Sequence, residues 1–413
     1  MTFVILVLAC LACAGHSHRV HASSTRSNSN IPQEVALDSL DKLKQAGAPN
    51  SLNAFATLLL AASPEAAFKS GSAAPSSAMT HHFPAAAAAL QRSHVVASAA
   101  ADEGSSPTDK HMLIKVVKTH RHHEGTLFRC SHKSVALGGL DASFSVYVPD
   151  TPRIHNSLPY PKDTEGFPAL FYLSGLTCSD ENVITKANAL EHCAANDLIF
   201  VAADTSPRGA SLDGEDERFD FGLGAGYYLN ATQEPWKRHY QMETYIEEEL
   251  PSIVHEYFPT LGPDYVSLMG HSMGGMGALA IALRSPGAYR SVSALAPLSH
   301  PTAVPDGSAP DVRLAFKRFL GDDETVWQKY DPVCLIRGGV KDGSLPPPLL
   351  IDQGAEDEFL TAGVLQTFAL VEACRQSAVP IDFRLRAGHD HSYFYVSSFI
   401  EEHIDFHAKF LHD

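Results

Sequence analysis

Short apolar runs alternate with amphipathic stretches from about residue 110 to the end of the chain. Several runs, such as residues 168–175 and 198–204, are apolar at almost every position, which is typical of strands buried on both faces of a parallel sheet. The stretches between them repeat apolar residues three or four positions apart, which predicts helices. Alternating strands and helices indicate an α/β protein with a mostly parallel central sheet covered by helices on both faces.

The periodicity also predicts where the individual elements lie. An opening antiparallel set of strands is predicted within 112–118, 126–130 and 143–148. The later strands are predicted at 168–175, 198–204, 264–270, 291–297, 347–354 and 381–388, and the later helices at 182–196, 242–258, 273–283, about 362–376 and 393–411.

The first 109 residues differ in composition from the rest of the chain. Residues 1–22 contain an apolar run too short for a bilayer, which needs roughly 20 apolar residues, and typical of a signal peptide. Residues 23–109 are rich in Ala and Ser, which indicates a low-complexity extension or presequence. We therefore expect one α/β domain at 110–413, preceded by a leader that is removed or disordered. Such a leader favours entry into the secretory pathway or import into an organelle.

The charge balance narrows the class of partner. The chain has 31 basic and 47 acidic residues and a formal net charge of −16. Nucleic-acid binders need a basic surface, and anionic membranes repel a chain of this charge, so we expect neither nucleic acid nor a stable membrane association. Seven scattered cysteines, an odd number, do not indicate a disulfide framework.

The strongest chemical signal is the sequence Gly-His-Ser-Met-Gly-Gly at residues 270–275. It follows a predicted strand and opens a predicted Ala-rich helix, which is the context of a nucleophile elbow. Such a turn needs small residues because the serine adopts a strained backbone conformation. Ser272 is therefore the predicted nucleophile; the alternative is a Gly-rich helix cap with a surface serine.

A serine hydroxyl becomes a nucleophile when a base takes its proton and a third group orients that base. In this architecture the acid and then the histidine follow the serine along the chain. Asp357 and His391 both follow predicted strands, at the carboxyl ends where sites of such sheets assemble. We predict them to be the acid and the base. The alternatives are His389, Asp390, Asp352 and Glu356.

An acyl-transfer site also needs two backbone N–H groups directed at the developing oxyanion. We assign one to Met273, directly after the nucleophile, and the other to Leu176, in the loop after the predicted strand at 168–175. Cys178 follows in that loop. We predict that bulky thiol reagents inhibit by displacing the loop, although the thiol has no chemical role.

Several motifs occur in an order that resembles the S-formylglutathione hydrolase family, also called the esterase D family, within the α/β-hydrolase superfamily. The resemblance covers residues 110–413. The motifs are LSGLTC at 173–178, DTSPRG at 204–209, GEDE at 214–217, GAG at 224–226, GHSMGG at 270–275 and DHSY at 390–393.

The resemblance implies an α/β-hydrolase fold and a thioesterase that hydrolyses S-formylglutathione to glutathione and formate in formaldehyde detoxification. It also implies a cytosolic enzyme, usually a homodimer, that needs no cofactor. Carried over by position, the family's nucleophile, acid and base fall on Ser272, Asp357 and His391, and its oxyanion amides fall on Leu176 and Met273.

One departure from the family pattern bears on substrate preference. Residues 296–301 read APLSHP and residues 304–307 read VPDG, so that Asp306 replaces a family aromatic expected near the acyl pocket. We therefore expect Asp306→Trp to shift acyl preference. A general carboxylesterase for short acyl groups is the alternative function. A non-catalytic α/β-hydrolase binding module is a more remote one, since such modules typically lose a triad member.

Three further sequence features resemble functional motifs only weakly. Residues 120–123 are His-Arg-His-His but lack partners at metal-ligand spacing, so we predict a solvated hairpin and no metal. The acidic run at 213–217 lacks the EF-hand pattern. Asn230 begins a glycosylation sequon, which matters in the secretory pathway alone.

Overall fold

The computed structural model describes residues 114–150, 166–339 and 346–413. The predicted leader at 1–22 and the extension at 23–109 lie outside the described residues. Within the described part, the strands form one sheet in the order β1-β2-β3-β5-β4-β6-β7-β8-β9. They are β1 (Lys115–His122), β2 (Gly125–Lys133), β3 (Asp141–Pro149), β4 (Ala169–Leu173), β5 (Ile199–Ala203), β6 (Val266–His271), β7 (Val292–Leu295), β8 (Leu349–Gly354) and β9 (Asp382–Arg386).

The two ends of this sheet differ in pairing. The strands β1, β2 and β3 pair antiparallel, and β3 pairs antiparallel with β5. From β5 through β9 every pairing is parallel. Every residue of β4, β5, β6 and β8 is buried, as their continuous apolar sequences require. The edge strand β1 is exposed and carries the basic residues Lys115, Lys118 and Arg121, which discourage pairing with another chain. Residues 120–122 of the His-Arg-His-His run form its end.

The helices cover both faces of the sheet. They are α1 (Asp180–Lys186), α2 (Ala189–Ala195), α3 in three consecutive parts (Met242–Thr244, the π-helical turn Tyr245–Glu249 and Leu250–Tyr257), α4 (Met273–Arg284), α5 (Val312–Leu320), α6 (Glu324–Trp327), α7 (Pro332–Gly338), α8 (Glu358–Thr361), α9 (Thr367–Gln376) and α10 (Tyr393–Leu411). Short 3₁₀ turns lie at Trp236–Arg238, Pro263–Tyr265, Pro301–Ala303 and Gln328–Tyr330.

Alternate residues of the central strands contribute to two hydrophobic cores. In β4, Ala169 and Phe171 pack into the core with α3, α4, α5, α7 and α9, whereas Leu170 and Tyr172 pack into the core with α1, α2 and α10. This alternation follows from the two-residue period of a strand. The predicted α/β fold with helices on both faces is confirmed.

Helix boundaries depart from the pattern where the backbone turns left-handed. The helix predicted at 182–196 is two helices, because Asn188 between α1 and α2 has a φ of 56°. Similarly, α9 begins at Thr367 because Gln366 has a φ of 54°. Asn tolerates this conformation better than most residues do. Among the described helices, none is both long and apolar enough to cross a bilayer.

Two residues from the weaker sequence signals are engaged in the fold. The Asn230 carboxamide donates from Nδ2 to Thr244 Oγ1 at 2.8 Å and accepts from the Thr244 N–H at 3.1 Å. Glycosylation at Nδ2 would disturb these bonds. In the acidic run, Glu215 is buried and accepts from the Tyr240 hydroxyl at 2.8 Å. That glutamate therefore has a structural role.

Two buried histidines join α10 to the sheet. His407 contacts Ser291 Oγ through Nδ1 at 2.8 Å and Ser293 Oγ through Nε2 at 2.7 Å. His403 contacts the same Ser293 hydroxyl through Nδ1 at 2.9 Å. Burial lowers the pKa of both imidazoles, and that of His407 falls well below its usual range. Both rings are therefore neutral in the folded protein at pH 7.

We expect the unfolding temperature of the wild-type chain to fall more steeply below about pH 6.5 than that of His407→Asn. The unfolded histidine takes up a proton near pH 6.5, whereas the buried one stays neutral. The unfolded state then binds more protons, so this contribution to stability is present above pH 6.5 and lost as pH falls. Thermal unfolding between about pH 5 and 8 checks the prediction. Identical pH dependence in both proteins would contradict it.

Candidate active site

Ser272 lies at the sharp turn from β6 into α4. Its φ of 58° and ψ of −120° are strained for a residue with a side chain. The Ser272 N–H donates to the Leu295 carbonyl at 3.0 Å, which anchors the turn to β7. A Cβ on Gly274 would lie 1.9 Å from the Leu173 carbonyl oxygen. Glycine is therefore required for α4 to pack this closely against β4, and the predicted elbow is present.

Asp357 and His391 meet at the carboxyl ends of β8 and β9. The His391 Nδ1 lies 2.6 Å from Asp357 Oδ2, and the carboxylate is fully buried. Its other oxygen, Oδ1, accepts from the N–H groups of Phe359 at 2.8 Å and Leu360 at 3.1 Å, and Gln353 Nε2 donates to Oδ2 at 3.0 Å. A carboxylate held this firmly orients the imidazole and favours its proton on Nδ1, which leaves Nε2 unprotonated, as the predicted role of His391 as the base requires.

The alternative acids and the alternative base have other partners. Asp352 is buried and pairs with Arg386 through both oxygens, at 2.7 and 2.6 Å. Asp390 is exposed and accepts from the N–H and hydroxyl of Ser392. His389 Nδ1 lies 2.8 Å from the Ala387 carbonyl oxygen. Glu356 is exposed.

The pocket above the elbow has a volume of about 320 Å³ and brings the predicted residues together. Ser272 and His391 both line it. Its other described lining residues are Gly175, Leu176, Thr177, Cys178, Asn182, Lys186, Phe219, Tyr227, His271, Met273, Leu298, Pro310, Val312, Phe359, Val364, Leu365, Ser392 and Tyr393. The wall formed by α5, α8 and the segment before α9 is apolar, which suits a small uncharged acyl group.

The loop that carries Leu176 passes directly over the nucleophile. A Cβ on Gly175 would lie 3.1 Å from the Ser272 Cβ, so the backbone comes close to the serine. The Thr177 N–H donates to the Gly224 carbonyl at 2.8 Å, which ties the loop to the motif at 224–226. Met273 is the first residue of α4, and the first amides of a helix have no intrahelical acceptor. The two predicted oxyanion donors thus belong to segments fixed on either side of Ser272.

The motif at 204–209 supports the same loop, a role that the sequence does not reveal. The Cys178 carbonyl accepts from Thr205 Oγ1 at 2.6 Å and from Arg208 Nη2 at 3.1 Å. Arg208 is itself paired with Asp204. The family resemblance singles out this motif, but it does not show what the motif does. The contacts join segments that are distant in the chain, so the sequence pattern does not predict them.

His271 is a pocket residue that the sequence prediction left without a role. It is buried, its ring lies 4.6 Å from the His391 ring, and neither ring nitrogen has a partner among the described atoms. Burial, with the neighbouring His391, lowers the pKa of His271 well below its usual range. His271 therefore places a neutral imidazole against the ring of the predicted base and adds no charge beside it.

Cys178 lies within the pocket wall, as expected of a residue next to the oxyanion loop. Its side chain is 8% exposed, and its Sγ lies 3.9 Å from the Tyr393 hydroxyl oxygen. Burial raises the pKa of the thiol. Because the thiolate is the reactive form, modification by thiol reagents is expected to be slow.

We expect Cys178→Ala to keep hydrolytic activity and to lose inhibition by a bulky maleimide. The small side chain removes the reactive group and leaves the backbone contacts of the loop in place. Time courses of inactivation for the two proteins check this. A well-folded but inactive Cys178→Ala protein would show that the thiol has a chemical role.

Asp306 lies outside the pocket, contrary to the expectation from the sequence. Its side chain is 90% exposed and its carboxylate pairs with Arg313 at 2.7 Å. The ion pair holds the carboxylate at the surface. Phe219 is the exposed aromatic residue that lines the pocket, with 54% of its surface accessible. A resemblance along the chain could not show which of these residues faces the site.

We therefore expect Asp306→Trp to leave acyl preference unchanged, whereas Phe219→Ala changes it. The measurement is the ratio of kcat/KM for 4-nitrophenyl acetate and 4-nitrophenyl butyrate. A shift of more than about tenfold, or 1.4 kcal/mol, for Asp306→Trp would place that residue at the acyl group after all.

One group of possible metal ligands is explained without a metal. His300, Asp331 and Cys334 place their ligand atoms within 4.8 Å of one another. However, Asp331 is buried, caps α7 through the Cys334 N–H and accepts from His300 Nδ1 at 2.7 Å. Burial lowers the pKa of His300, but the hydrogen bonds and charges of Asp331 and Cys334 together outweigh it and raise the pKa to about 9. The group is a charged hydrogen-bonded pair at a helix cap.

The sheet order, the elbow and the position of the histidine after the last parallel strand define an α/β-hydrolase. The Esterase family model matches residues 145–406. S-formylglutathione hydrolase from Mus musculus is 42% identical over 301 residues, which are 73% of this chain and 99% of the mouse protein. The Bos taurus enzyme of the same name is 41% identical over 304 residues, with the same coverage. The chain belongs to the S-formylglutathione hydrolase family.

Solved structures agree with this assignment. An S-formylglutathione hydrolase from Agrobacterium tumefaciens is 35% identical, with a TM-score of 0.64, covering 72% of this chain and 99% of the bacterial one. A fluorophosphonate-binding serine hydrolase from Staphylococcus aureus is 18% identical, with a TM-score of 0.54 over 69% of this chain and 99% of its own. The second likeness concerns the fold alone.

Proposed function

We propose that this chain is a serine thioesterase that hydrolyses S-formylglutathione to glutathione and formate. The observation that carries the proposal is the His391–Asp357 couple, with its 2.6 Å contact, beside a strained Ser272 in one pocket. The names and full-length coverage of the relatives support the choice of substrate.

Acylation begins when Ser272 Oγ attacks the formyl carbonyl and passes its proton to His391 Nε2. Asp357 stabilises the imidazolium that forms. The N–H groups of Leu176 and Met273 donate to the oxyanion of the tetrahedral intermediate. The C–S bond then breaks, the glutathione sulfur takes the proton from His391, and a formyl ester remains on Ser272.

Deacylation repeats these steps with water. His391 Nε2 takes a proton from the water as its oxygen attacks the formyl ester, and the same two amides stabilise the second oxyanion. The intermediate collapses to formate, and Ser272 Oγ recovers its proton from the imidazolium. In the overall reaction, one thioester and one water molecule are converted to one thiol and one carboxylic acid.

The pocket is suited to a small acyl group. Its volume of about 320 Å³ is near the lower end of the roughly 300–1,000 Å³ of small-molecule sites. Residues such as Leu298, Val312 and Leu365 give it an apolar wall. A pocket of this kind also accepts short acyl esters, which keeps a general carboxylesterase as the second candidate.

Steady-state kinetics on S-formylglutathione and 4-nitrophenyl acetate test the proposal, with Ser272→Ala as the control for contaminating esterases. We expect the higher kcat/KM for S-formylglutathione. A higher value for 4-nitrophenyl acetate would favour the general carboxylesterase. Activity on neither substrate would refute both.

The wider assignments follow from this reaction and from the family resemblance. Formate release from a glutathione thioester fits a role in formaldehyde detoxification, and the resemblance favours a homodimer. Sedimentation of the purified chain tests the second point.

A further inference from the structure

The pocket lining carries a positive charge and no carboxylate among the described residues. Among the described residues that line it, Lys186 is the one lysine or arginine, and none is an aspartate or glutamate. Lys186 is exposed and ends α1. In a chain with a net charge of −16, a cationic pocket rim departs from the average surface. It attracts an anionic ligand towards the site.

Lys186 is held at the wall that carries the catalytic machinery. Its ammonium lies 5.5 Å from the centroid of the Tyr393 ring. Tyr393 in turn contacts the Cys178 thiol and lies 5.9 Å, ring to ring, from His271. The cation thus shares a tyrosine neighbour with the oxyanion loop and the histidine beside His391.

The usual stabilising roles of a surface lysine explain little of why Lys186 lies at the pocket. A cation in the last turn of a helix is favoured by the helix dipole, typically by less than 1 kcal/mol. Some lysines of the described chain have carboxylate partners, as Lys133 with Asp141 at 2.9 Å and Lys317 with Asp322 at 2.7 Å. Lys186 differs from the described lysines without such a partner because it lines the pocket. Within the described residues, Lys186 has no carboxylate at ion-pair distance. Its charge is therefore available to a ligand.

The leaving group of the proposed reaction supplies the missing anion. Glutathione is a tripeptide with two carboxylates and one ammonium group. The glycyl carboxylate lies one residue beyond the cysteine, which is a span of about 7 Å for two extended residues. With the thioester carbonyl at Ser272, the remaining atoms of the tripeptide have to be accommodated by the rest of the pocket and its rim, where Lys186 lies.

We propose that Lys186 binds a carboxylate of the glutathionyl group and thereby sets the preference for glutathione thioesters over uncharged esters. This inference rests on the proposed function. Lys186 contributes binding and orientation and takes no part in proton transfer. Its loss acts on kcat/KM for charged thioesters and has a much smaller effect on a neutral ester.

The expected loss on removing Lys186 is set by the solvent exposure of the proposed ion pair between Lys186 and the carboxylate. Ion pairs in contact with solvent contribute up to about 1 kcal/mol, which is about a fivefold change in binding. We expect Lys186→Met to lower kcat/KM for S-formylglutathione by about fivefold, through KM. Lys186→Glu lowers it further, and Lys186→Arg restores most of it.

The decisive experiment combines the enzyme variant with altered substrates. The full chain and its Lys186→Met variant are compared on S-formylglutathione, on two analogues that each have one carboxylate converted to an amide, and on 4-nitrophenyl acetate. One analogue should lose its dependence on Lys186, which identifies the carboxylate. Lys133→Met, which removes an exposed lysine outside the pocket, serves as the control.

The outcomes separate this inference from the proposed function. Equal losses on all substrates, or no loss on any, would overturn the role of Lys186 while the wild-type preference for S-formylglutathione stood. A wild-type chain that hydrolyses 4-nitrophenyl acetate better than every glutathione thioester would refute the proposed function itself.

Discussion

We expect Asp357→Asn to lower kcat for S-formylglutathione by about 10⁴-fold, the loss that the matching change causes in a serine protease. The Asn carbonyl can still accept from the N–H groups of Phe359 and Leu360, so the turn into α8 keeps its cap. The Asn amide then faces His391 Nδ1 and forces that nitrogen to accept. The proton moves to Nε2, which can no longer take the proton of Ser272.

Asp390→Asn is the matched control for this variant. Asp390 is adjacent to His391 in the chain, but its exposed carboxylate accepts from Ser392. We expect it to keep near wild-type acylation, while circular dichroism and thermal unfolding establish that both variants fold. Near wild-type acylation in Asp357→Asn, measured in single turnovers, would show that the acid has been misassigned.

Asp352→Asn is expected to act on stability more than on chemistry. Burial raises the pKa of Asp352, but bonds from His403 and Arg386 outweigh it and lower the pKa. Removing the carboxylate charge leaves the Arg386 guanidinium without its buried counter-ion. Thermal unfolding therefore distinguishes the role of Asp352 from the one proposed for Asp357.

Ser272→Ala has the largest expected effect, a loss of about 10⁶ in kcat, because no other group can carry the acyl ester. The variant is expected to fold, since alanine meets the same positive φ with a smaller side chain. The rate of glutathione release measures the loss.

Triad residues act as a unit, so their effects do not add. The double variant of Ser272→Ala and Asp357→Asn should be no slower than Ser272→Ala alone. A further large loss in the double variant would mean that Asp357 acts on a step that does not involve Ser272.

The sequence predicted those features that depend on local pattern. The strands from β4 to β7 are continuous apolar runs, and the elbow at Ser272 combines small residues with a strand and a helix. Asp357 and His391 are predicted as the acid and base because each follows a parallel strand, and parallel strands present their carboxyl ends at one edge. These predictions depend on the order of strands and helices along the chain and not on how the elements pack.

The features that were missed depend on contacts across the fold. The pattern showed neither the left-handed break at Asn188 nor the short helices α5 to α7, whose apolar residues pack into the first core. Asp306 was misplaced because its pairing with Arg313, rather than the residue it replaces, determines which way it faces. The roles of His271 and Arg208 come from neighbours distant in sequence.

Covalent labelling of the nucleophile tests the central claim most directly. The full chain is treated with a limiting series of a serine-directed phosphonate, the labelled fraction of Ser272 is measured by peptide mapping, and hydrolysis of S-formylglutathione is assayed in each sample. We predict that activity falls in proportion to the labelled fraction of Ser272 and that S-formylglutathione slows the labelling. Full labelling of Ser272 with hydrolysis intact, or loss of activity with the label on another residue, would contradict the assignment of Ser272 as the nucleophile.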